Sequence, residues 1–384
     1  MKITMLSCWQ NRYYADYTRH LRQALESKTG QEINIITTNC GCAPPYRLSK
    51  ETLIDQRCDL FNMPTIPDYK SKKKWKYYLR RLGRKAIAYF RARKFADKMK
   101  SADIVHFQQV LNAFGSLSVF QFLNYAGNTP KKVVTIHEID SFQNEFKNLN
   151  ATYNRADKII VHFEELKQYL VENGVIAEKI EIIHNGTEIP PLYDYERQGI
   201  IFHAGTHVAS GKGWEDILNA LKILRAKGIE MRLRVCGNYG ELERIEAQQV
   251  AEALGSAGSI DWLEIGSLEF KGMEKMNREY QKSLICVLPY TKGTAGFQTV
   301  VAMANAVPVI ATKKAGTLDH LGDTGVYVRN NSPEDIAGAI EKLLTDNAYR
   351  ADLASRARKR AINNFSWNII ADKTLELYER VLHG

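Results

Sequence analysis

Short runs of apolar residues alternate with helix-like stretches along most of this chain. In the first half the runs that we interpret as strands are KITMLS, INIITT, DIVHFQ, KKVVTIH, KIIVHF and IEIIH. In the second half they are IIFHAG, MRLRVCG, IDWLEIG, LICVLPY, VPVIAT and GVYVR. Strands that alternate with crossover helices form parallel sheets covered on both faces. The sequence therefore predicts an α/β fold.

The pattern is interrupted once, by the turn-rich stretch NGTEIPPLYDYERQG, and then starts again. A length of 384 residues suits two domains of ordinary size. We therefore predict two α/β halves joined near residues 190–198. Amphipathic helices are predicted at Ala15–Lys28, Trp214–Lys227, Pro333–Thr345 and Trp367–Leu382.

Several classes of protein fit the sequence poorly. It contains no run of 18 apolar residues, so no membrane-spanning helix is expected. The first residues, MKITMLSCWQ, fit a β-strand better than a secretory signal. The six cysteines are scattered and only Cys40 and Cys42 are close, which is a weak metal signal. A cytoplasmic protein without a disulfide framework is the expectation.

Parallel sheets bind their ligands beyond the carboxyl ends of their strands, so these ends were searched for site residues. The segment GTHVASGKG follows the strand IIFHAG and resembles a P-loop. Five residues rather than four separate Gly205 from Gly211, and Gly213 stands where Ser or Thr would bind magnesium, so an ATPase is not supported. Lys212 just before a helix still suits a phosphate. The alternative is an ordinary strand-to-helix turn with a solvated lysine.

A second strand end has the form of a phosphate-binding corner. KGTAGFQTVVAMANAVPVIAT predicts a glycine-containing turn, a short helix and a buried strand. The start of that helix, near Gly296, would point its positive end at a bound anion.

Together these segments resemble glycosyltransferase family 4. ADKIIVHFEELKQYLVENGVIAEKIEIIHNGTE resembles the family's linker region, with its Asn-Gly pair at Asn185 and Gly186. FHAGTHVASGKGWEDILNAL resembles its donor-phosphate segment, and YQKSLICVLPYTKGTAGFQTVVAMANAVPVIAT resembles its donor loop. FSWNIIADKTLELYERVL resembles its final helix.

This resemblance implies the GT-B fold, with two facing Rossmann-like domains and an inter-domain cleft. It implies an acceptor-side domain at residues 1–195, a nucleotide-sugar donor domain at 196–364, and a helix at 365–384 that crosses back to the first domain. The implied reaction is retaining transfer of a sugar, of hexosyltransferase type, from a nucleotide-diphosphate sugar to a saccharide acceptor. No metal or other cofactor is expected, because amides and a lysine can stabilise the departing diphosphate.

The resemblance also implies roles for individual residues. Catalytic roles fall to His137, which faces the transferred sugar in relatives, and to Lys212. From the residues alone, the alternative for His137 is a strand-end histidine that makes a loop hydrogen bond. The donor-binding positions are Gly205, Thr206, Lys212, Thr294, Ala295, Gly296, Phe297, Gln298 and Thr299. Tyr13 and Tyr14 either stack on an acceptor sugar or begin a helix.

The chain departs from the family's pattern at three positions. Thr206 replaces an arginine, while Gly293 and Val301 replace the two donor-loop glutamates. We expect an altered but working donor site in which Gln298, Thr294 or Thr299 takes over hydroxyl contacts. The alternative is a non-catalytic paralogue that binds a glycan or supports a partner transferase.

The positive charge is concentrated in one segment. Residues 70–100 hold fourteen Lys or Arg and one acid, a net charge of +13, which leaves −3 for the rest of a chain at +10. Trp75 begins an apolar stripe at helical spacing, and the cations include Arg80, Arg81, Arg84 and Lys85. This pattern predicts contact with an anionic membrane surface. The family resemblance implies a lipid-linked acceptor at the cytoplasmic face of that membrane, since many transferases of this type act on lipid-carried acceptors. The alternatives are a core stripe with a solvated basic face and, without a supporting motif, nucleic acid.

Overall fold

The chain divides into two compact units. The computed structural model describes residues 1–8, 12–38, 99–108, 130–137, 151, 153–205, 208, 211–237, 239–264, 270–292, 295–314 and 316–384. One unit comprises Met1–Ile183 together with Ala371–Gly384, and the other comprises His184–Ile370. Each unit contains a six-stranded sheet in which every pair of neighbours is parallel. The predicted α/β fold is confirmed.

The first sheet has the order β2-β1-β3-β4-β5-β6. Its strands are β1 (Ile3–Cys8), β2 (Asn34–Thr38), β3 (Ile104–Gln108), β4 (Lys131–Ile136), β5 (Lys158–Val161) and β6 (Ile180–Ile182). All five residues of β3 are buried, so both faces of this strand are covered. Strand β2 pairs with one edge of β1, and β3, the next strand along the chain, pairs with the other edge. That reversal places a candidate ligand site at the carboxyl ends of β1 and β3.

Among the described residues of the first unit, two α-helices lie before residue 184. They are α1 (Arg12–Thr29) and α2 (Glu164–Glu172). Tyr17, Leu21 and Leu25 recur every four residues on α1, and all three are buried. This spacing puts one apolar stripe of the helix into the core, as the sequence predicted.

The second sheet has the order β12-β11-β10-β7-β8-β9. Its strands are β7 (Ile200–Gly205), β8 (Leu233–Gly237), β9 (Ile260–Glu264), β10 (Ile285–Leu288), β11 (Val309–Thr312) and β12 (Val326–Val328). Counted from β7, this is the order 3-2-1-4-5-6 of dinucleotide-binding sheets, and it reverses between β7 and β10. The carboxyl ends of β7 and β10 are therefore the expected ligand site of this unit.

Helices separate the strands of the second unit. They are α3 (Trp214–Ala226), α4 (Glu241–Ala253), α5 (Phe270–Gln281), α6 (Gly296–Ala304), α7 (Thr317–Leu321), α8 (Pro333–Thr345) and α9 (Asn347–Phe365). Ser332 caps α8 by accepting from the Asp335 amide, and Pro333 stands at the first helical position. Within the described part of the chain, no helix is long and apolar enough to cross a bilayer.

The final helix, α10, spans Trp367–His383. From Ala371 onward it belongs to the first unit. There Asp372 pairs with Lys28 at 2.6 Å, and the Tyr378 hydroxyl lies 2.6 Å from His106 Nδ1 in the interior. The C-terminal residues thus contribute both a surface ion pair and a buried polar contact to this unit.

Candidate functional site

The candidate site of the second unit lies where its sheet reverses. β7 ends at Gly205, whose φ of +67° is a conformation that favours glycine. The neighbouring strand β10 ends at Leu288, and Pro289 to Lys292 follow it. The segments after these two strands contain most of the donor-site residues predicted from the sequence.

Two glycines hold the turn after β7 directly against the segment after β10. A Cβ on Gly213 would lie 2.3 Å from the Pro289 carbonyl oxygen, and a Cβ on Gly211 would lie 2.7 Å from Lys292 Cβ. The Gly211 carbonyl accepts from the amides of Thr291 and Lys292 at 3.0 and 2.9 Å. Both glycines also have positive φ, +69° for Gly211 and +71° for Gly213. Side chains are therefore excluded at both positions by space as well as by backbone conformation.

Lys212 stands between these two glycines and lies over an aromatic ring. Its Nζ is 4.0 Å from the centroid of the Tyr290 ring, a cation–π contact. Tyr290 is fully buried, and its hydroxyl donates to the His203 carbonyl. The Tyr290 carbonyl in turn accepts from the Thr312 hydroxyl at 2.6 Å. A rigid, buried tyrosine thus supports the ammonium at the reversal point of the sheet.

Two helices begin at this edge of the sheet. Helix α3 begins at Trp214, two residues after Lys212, and α6 begins at Gly296. Neither N-cap residue makes a side-chain capping hydrogen bond, and neither helix has a basic residue in its first turn. Helix N-termini carry partial positive charge and outward N–H groups, which bind phosphates.

The start of α6 is packed tightly. A Cβ on Gly296 would lie 3.2 Å from His320 Cε1 and 3.3 Å from Asn185 Nδ2. Asn185 belongs to the Asn-Gly pair that the sequence singled out, and the second member, Gly186, packs elsewhere. A Cβ on Gly186 would lie 2.4 Å from Trp367 Cε3. The pair therefore places the side-chain amide of Asn185 at the start of α6, while the backbone of Gly186 packs against the Trp367 indole.

Gln298 is the polar side chain of α6 that comes near Gly205. Its Nε2 lies 4.0 Å from where a Cβ of Gly205 would be, so the amide borders the end of β7. Thr299 is different: it is fully buried, and its hydroxyl donates to the Ala295 carbonyl at 2.7 Å. Of these two predicted donor contacts, Gln298 has the more accessible side chain.

Val301, which we predicted to replace one of the family's donor-loop glutamates, lies in the apolar core of the second unit. Its side chain is buried, and its carbonyl accepts from Asn305 Nδ2 at 2.9 Å. The first helical turn of α6 contains no acidic residue. The described part of this edge offers cations, amides and two helix ends, alongside Glu215 and Asp216 in the first turn of α3. The cations, amides and helix ends suit an anionic ligand.

Some predicted site residues lie outside the described residues. They are Thr206, Gly293 and Thr294, together with the membrane-contact residues Trp75, Arg80, Arg81, Arg84 and Lys85. Tyr13 and Tyr14 are placed in the first turn of α1, where only the backbone is described. Across the described residues, no group of three or more His, Cys, Asp or Glu could hold a metal ion.

The first unit has its own polar cluster around His137, at the carboxyl ends of β3, β4 and β5. His137 Nε2 lies 3.2 Å from Gln108 Oε1, and His137 Nδ1 lies 2.8 Å from His162 Nε2. His162 Nδ1 contacts the Ile183 carbonyl at 2.8 Å. The Tyr17 ring stands edge-on to His137, with the ring centroids 4.7 Å apart. Both rings of the histidine pair are therefore fixed in orientation.

Burial lowers the pKa of His137 well below its usual value, with smaller contributions from His162 and His106. The imidazole is therefore neutral at pH 7 and offers one donor and one acceptor nitrogen. Burial likewise lowers the pKa of His203 to about 4, with Lys212 adding to the effect. Both units thus contain a neutral buried histidine near the carboxyl ends of their strands.

The sequence predicted Lys212 from its strand end and His137 from the family resemblance, but not the residues that support them. Tyr290 was predicted only as the last residue of a strand, and its position under Lys212 depends on packing. Gln108 and His162 stand at or just after the ends of β3 and β5, so the strand-end rule could have identified both.

Two protein-family profiles match the chain. The profile described as Glycosyltransferase Family 4 matches residues 15–189, and the one described as Glycosyl transferases group 1 matches residues 188–360. The two matches together cover both units of the structure.

Individual relatives were found among curated proteins and solved structures. The capsular polysaccharide biosynthesis glycosyltransferase CapM of Staphylococcus aureus is 26% identical over 55% of this chain and 53% of its own. A D-inositol 3-phosphate glycosyltransferase of Rhodococcus erythropolis is 30% identical over 59% of this chain and 54% of its own. The chain thus spans about half the length of these curated relatives. The crystal structure of Anabaena Alr3699/HepE in complex with UDP superposes with a TM-score of 0.68 at 15% identity, over 99% of this chain and 100% of that one.

Proposed function

The chain belongs to glycosyltransferase family 4 and has its GT-B fold, and from this membership we propose that it transfers a sugar from a nucleotide-diphosphate sugar to a saccharide acceptor. The observation that carries the proposal is Lys212, held over Tyr290 where the second sheet reverses. A cation, two helix N-termini and glycine backbone at one edge suit a diphosphate. The UDP complex of the HepE structure supports a nucleotide as the leaving group.

In the proposed reaction, the acceptor hydroxyl oxygen bonds to the anomeric carbon of the donor sugar. The bond from that carbon to the phosphate oxygen breaks on the same face, and the hydroxyl proton passes to the departing phosphate. This front-face attack retains the anomeric configuration. Lys212 and the amides at the start of α6 stabilise the charge that develops on the diphosphate. The step needs no metal, because these groups supply the positive charge.

We assign the recognition of donor hydroxyls to Gln298. Its amide borders Gly205 and can both donate and accept, whereas the Thr299 hydroxyl is committed to Ala295. With Val301 in the core, no carboxylate from that position reaches a ribose. The donor site of this proposal is therefore less charged than one with two glutamates.

His137 takes the sugar-facing role in this proposal, as a neutral group. Burial lowers its pKa, so the ring stays neutral, and a hydrogen bond to the sugar would take the place of its contact with Gln108. Contacts with His162 and Gln108 fix its ring. A preorganised neutral ring of this kind loses little entropy when it meets a substrate.

We further propose that the acceptor is a lipid-linked saccharide of surface-polysaccharide assembly, at the cytoplasmic face of a membrane. The similarity to CapM supports the polysaccharide, and the +13 segment at residues 70–100 supports the membrane. Cosedimentation with vesicles is expected to rise with anionic lipid and fall with salt. Equal binding to neutral and anionic vesicles would contradict the membrane part alone.

The donor part is tested by thermal stabilisation and turnover with UDP-, GDP-, CMP- and ADP-sugars. Ligand at 100 times its Kd adds about 2.7 kcal/mol to stability, enough for a shift of several degrees. We expect one nucleotide to stabilise the wild type, and its sugar to be consumed when acceptor is present. If no nucleotide shifts the melting temperature and no donor is consumed, the non-catalytic, glycan-binding or partner-supporting alternative replaces this proposal.

A further inference from the structure

A cavity of the second unit lies at the opposite edge of its sheet from Lys212. Its volume is about 560 Å³, within the range of small-molecule sites. Leu284 and Pro308, which line it, directly precede β10 and β11. Arg197 lies three residues before β7. The cavity is therefore at the amino ends of the strands, whereas the donor site is at their carboxyl ends.

Four cationic side chains line this cavity: Arg197, Arg350, Arg358 and Lys359. Among the described residues, no carboxylate lines it and none of the four cations forms an ion pair with a carboxylate. Elsewhere in this unit exposed arginines do pair with carboxylates, as Arg329 does with Asp335. The cavity thus concentrates uncompensated positive charge.

Each of the three arginines is positioned by main-chain carbonyls. Arg197 donates to Ala306 O at 2.7 Å, Arg358 to Pro190 O at 2.8 Å, and Arg350 to Leu343 O at 2.5 Å. A guanidinium has five N–H donors, so donors remain on each for a ligand. The carbonyl groups hold each guanidinium in place, but their partial charges do not cancel its full positive charge.

The charges in the cavity repel one another. Burial lowers the pKa of Arg197, and the nearby charge of Arg350 lowers it further. Burial also lowers the pKa of Arg358. A bound anion would reduce this repulsion and offset part of the free-energy cost of burying the charges.

Apart from the four cations and Ser355, the residues that line the cavity are apolar. Helix α9 presents one face to the cavity, formed by Ala351, Ala354, Ser355, Arg358, Lys359 and Ile362. The small residues of its first turns leave room, and the large apolar side chains Leu192 and Ile362 are 46% and 41% exposed. Large apolar side chains beside a cationic cluster suit a ligand with a charged head and an apolar tail.

We propose that this cavity binds a phosphate ester with an apolar chain, its phosphate held by Arg350, Arg358 and Lys359 and its chain lying along Leu192 and Ile362. Phosphate fits better than a carboxylate because it carries up to two charges and several acceptor oxygens, which match more than one guanidinium fork. The site is separate from the donor site and does not depend on the proposed transferase activity.

Octyl phosphate, kept below its micelle concentration, is the probe for calorimetric titration. We expect one saturable site, with inorganic phosphate binding at least about ten-fold more weakly because it buries no chain. Lys359→Glu is expected to weaken octyl phosphate by about ten-fold or more through loss of one charged contact and added repulsion. Lys222→Glu, an exposed charge reversal on α3 outside the cavity, and Lys212→Ala, at the donor site, are expected to leave the affinity unchanged.

Vesicles distinguish the two sources of such a ligand. If Lys359→Glu reduces binding to phosphatidic acid vesicles relative to Lys222→Glu, the ligand is a membrane phospholipid; if it does not, the ligand is a soluble phosphate ester. The proposal is overturned if octyl phosphate shows no saturable binding, or if Lys359→Glu binds it as tightly as the wild type. Equal affinity for inorganic phosphate would also overturn it, because the apolar half would then contribute nothing.

Discussion

The ammonium of Lys212 lies 4.0 Å above the ring centroid of Tyr290, which comes from the segment after the neighbouring strand. This contact joins the two segments that flank the reversal point of the second sheet. A cation–π contact at a partly desolvated site contributes about 0.5–2 kcal/mol, and its geometry restricts the long lysine side chain. The lysine is thus placed before a phosphate arrives, which is the condition for electrostatic preorganisation.

Lys212→Ala is expected to reduce sugar transfer with little loss of stability. Loss of one preorganised charge on the leaving group raises the barrier by about 2–4 kcal/mol, which is roughly 30- to 1000-fold in rate. Tyr290→Phe is the matched control, because it keeps the ring but loses the hydrogen bond to the His203 carbonyl. That variant is expected to be destabilised by about 1–3 kcal/mol yet to retain transfer. Steady-state rates of Lys212→Ala equal to those of the wild type would refute the assignment.

Gly213→Ala is expected to disrupt the turn far more than Gly228→Ala. Both glycines have positive φ, +71° and +76°, but a Cβ on Gly213 meets the Pro289 carbonyl at 2.3 Å whereas one on Gly228 meets nothing within 4 Å. The left-handed conformation alone costs about 1–2 kcal/mol, and overpacking adds about 1–3 kcal/mol. Chemical denaturation measures the difference. Equal destabilisation would show that Pro289 moves aside freely.

Much of the fold was predictable because it depends on local pattern. Every strand predicted from an apolar run is present, and helix Pro333–Thr345 has the predicted bounds. Periodicity and turn residues act within a few positions of one another, and a single sequence contains that information. The location of Lys212 was predictable for a related reason, since strand ends follow from the strands.

Contacts between distant residues were not predictable in the same way. Gly186 must be glycine because the Trp367 indole occupies the space of a Cβ, yet no periodicity links two positions so far apart. The contacts of His137 with Gln108 and His162 arise only when three strands pair in register. Tertiary packing determines such pairs, so they require the structure.

Gln298→Ala and Thr299→Val change adjacent residues of α6 but are expected to affect different quantities, the first donor affinity and the second stability. Gln298 borders Gly205, so its loss is expected to weaken nucleotide-sugar binding by about three- to ten-fold with stability unchanged. The Thr299 hydroxyl donates to the Ala295 carbonyl, so valine is expected to cost about 1–2 kcal/mol of stability with affinity retained. Calorimetric binding and denaturation measure the two quantities. A loss of affinity in Thr299→Val alone would assign the donor contact to the threonine instead.

Acid is expected to destabilise the protein through its buried histidines. The pKa of His106 is lowered to about 3 and that of His203 to about 4, mainly by burial. An unfolded histidine has a pKa near 6.5, so below that pH the unfolded chain binds protons that the folded chain does not. Stability from these groups is therefore complete above about pH 6.5 and falls as the pH is lowered toward the folded pKa values. When the pH falls from 7 to 5, each of these histidines lowers the free energy of unfolding by about 2 kcal/mol.

The His203→Asn variant isolates the part of the acid sensitivity that arises from His203 in the second unit. His203 Nδ1 lies 3.0 Å from the Tyr280 hydroxyl, and an asparagine amide can keep a polar partner there without titrating near pH 6. The variant is expected to lose about 2 kcal/mol less than the wild type between pH 7 and pH 5 in denaturation experiments. Because the charge of Lys212 adds to the lowering of the His203 pKa, a phosphate bound at Lys212 is expected to raise that pKa toward its usual value. Near and below the folded pKa, the stability of the wild type should then fall less steeply with decreasing pH when nucleotide is bound. A pH dependence identical in that range with and without nucleotide would place the phosphates away from Lys212.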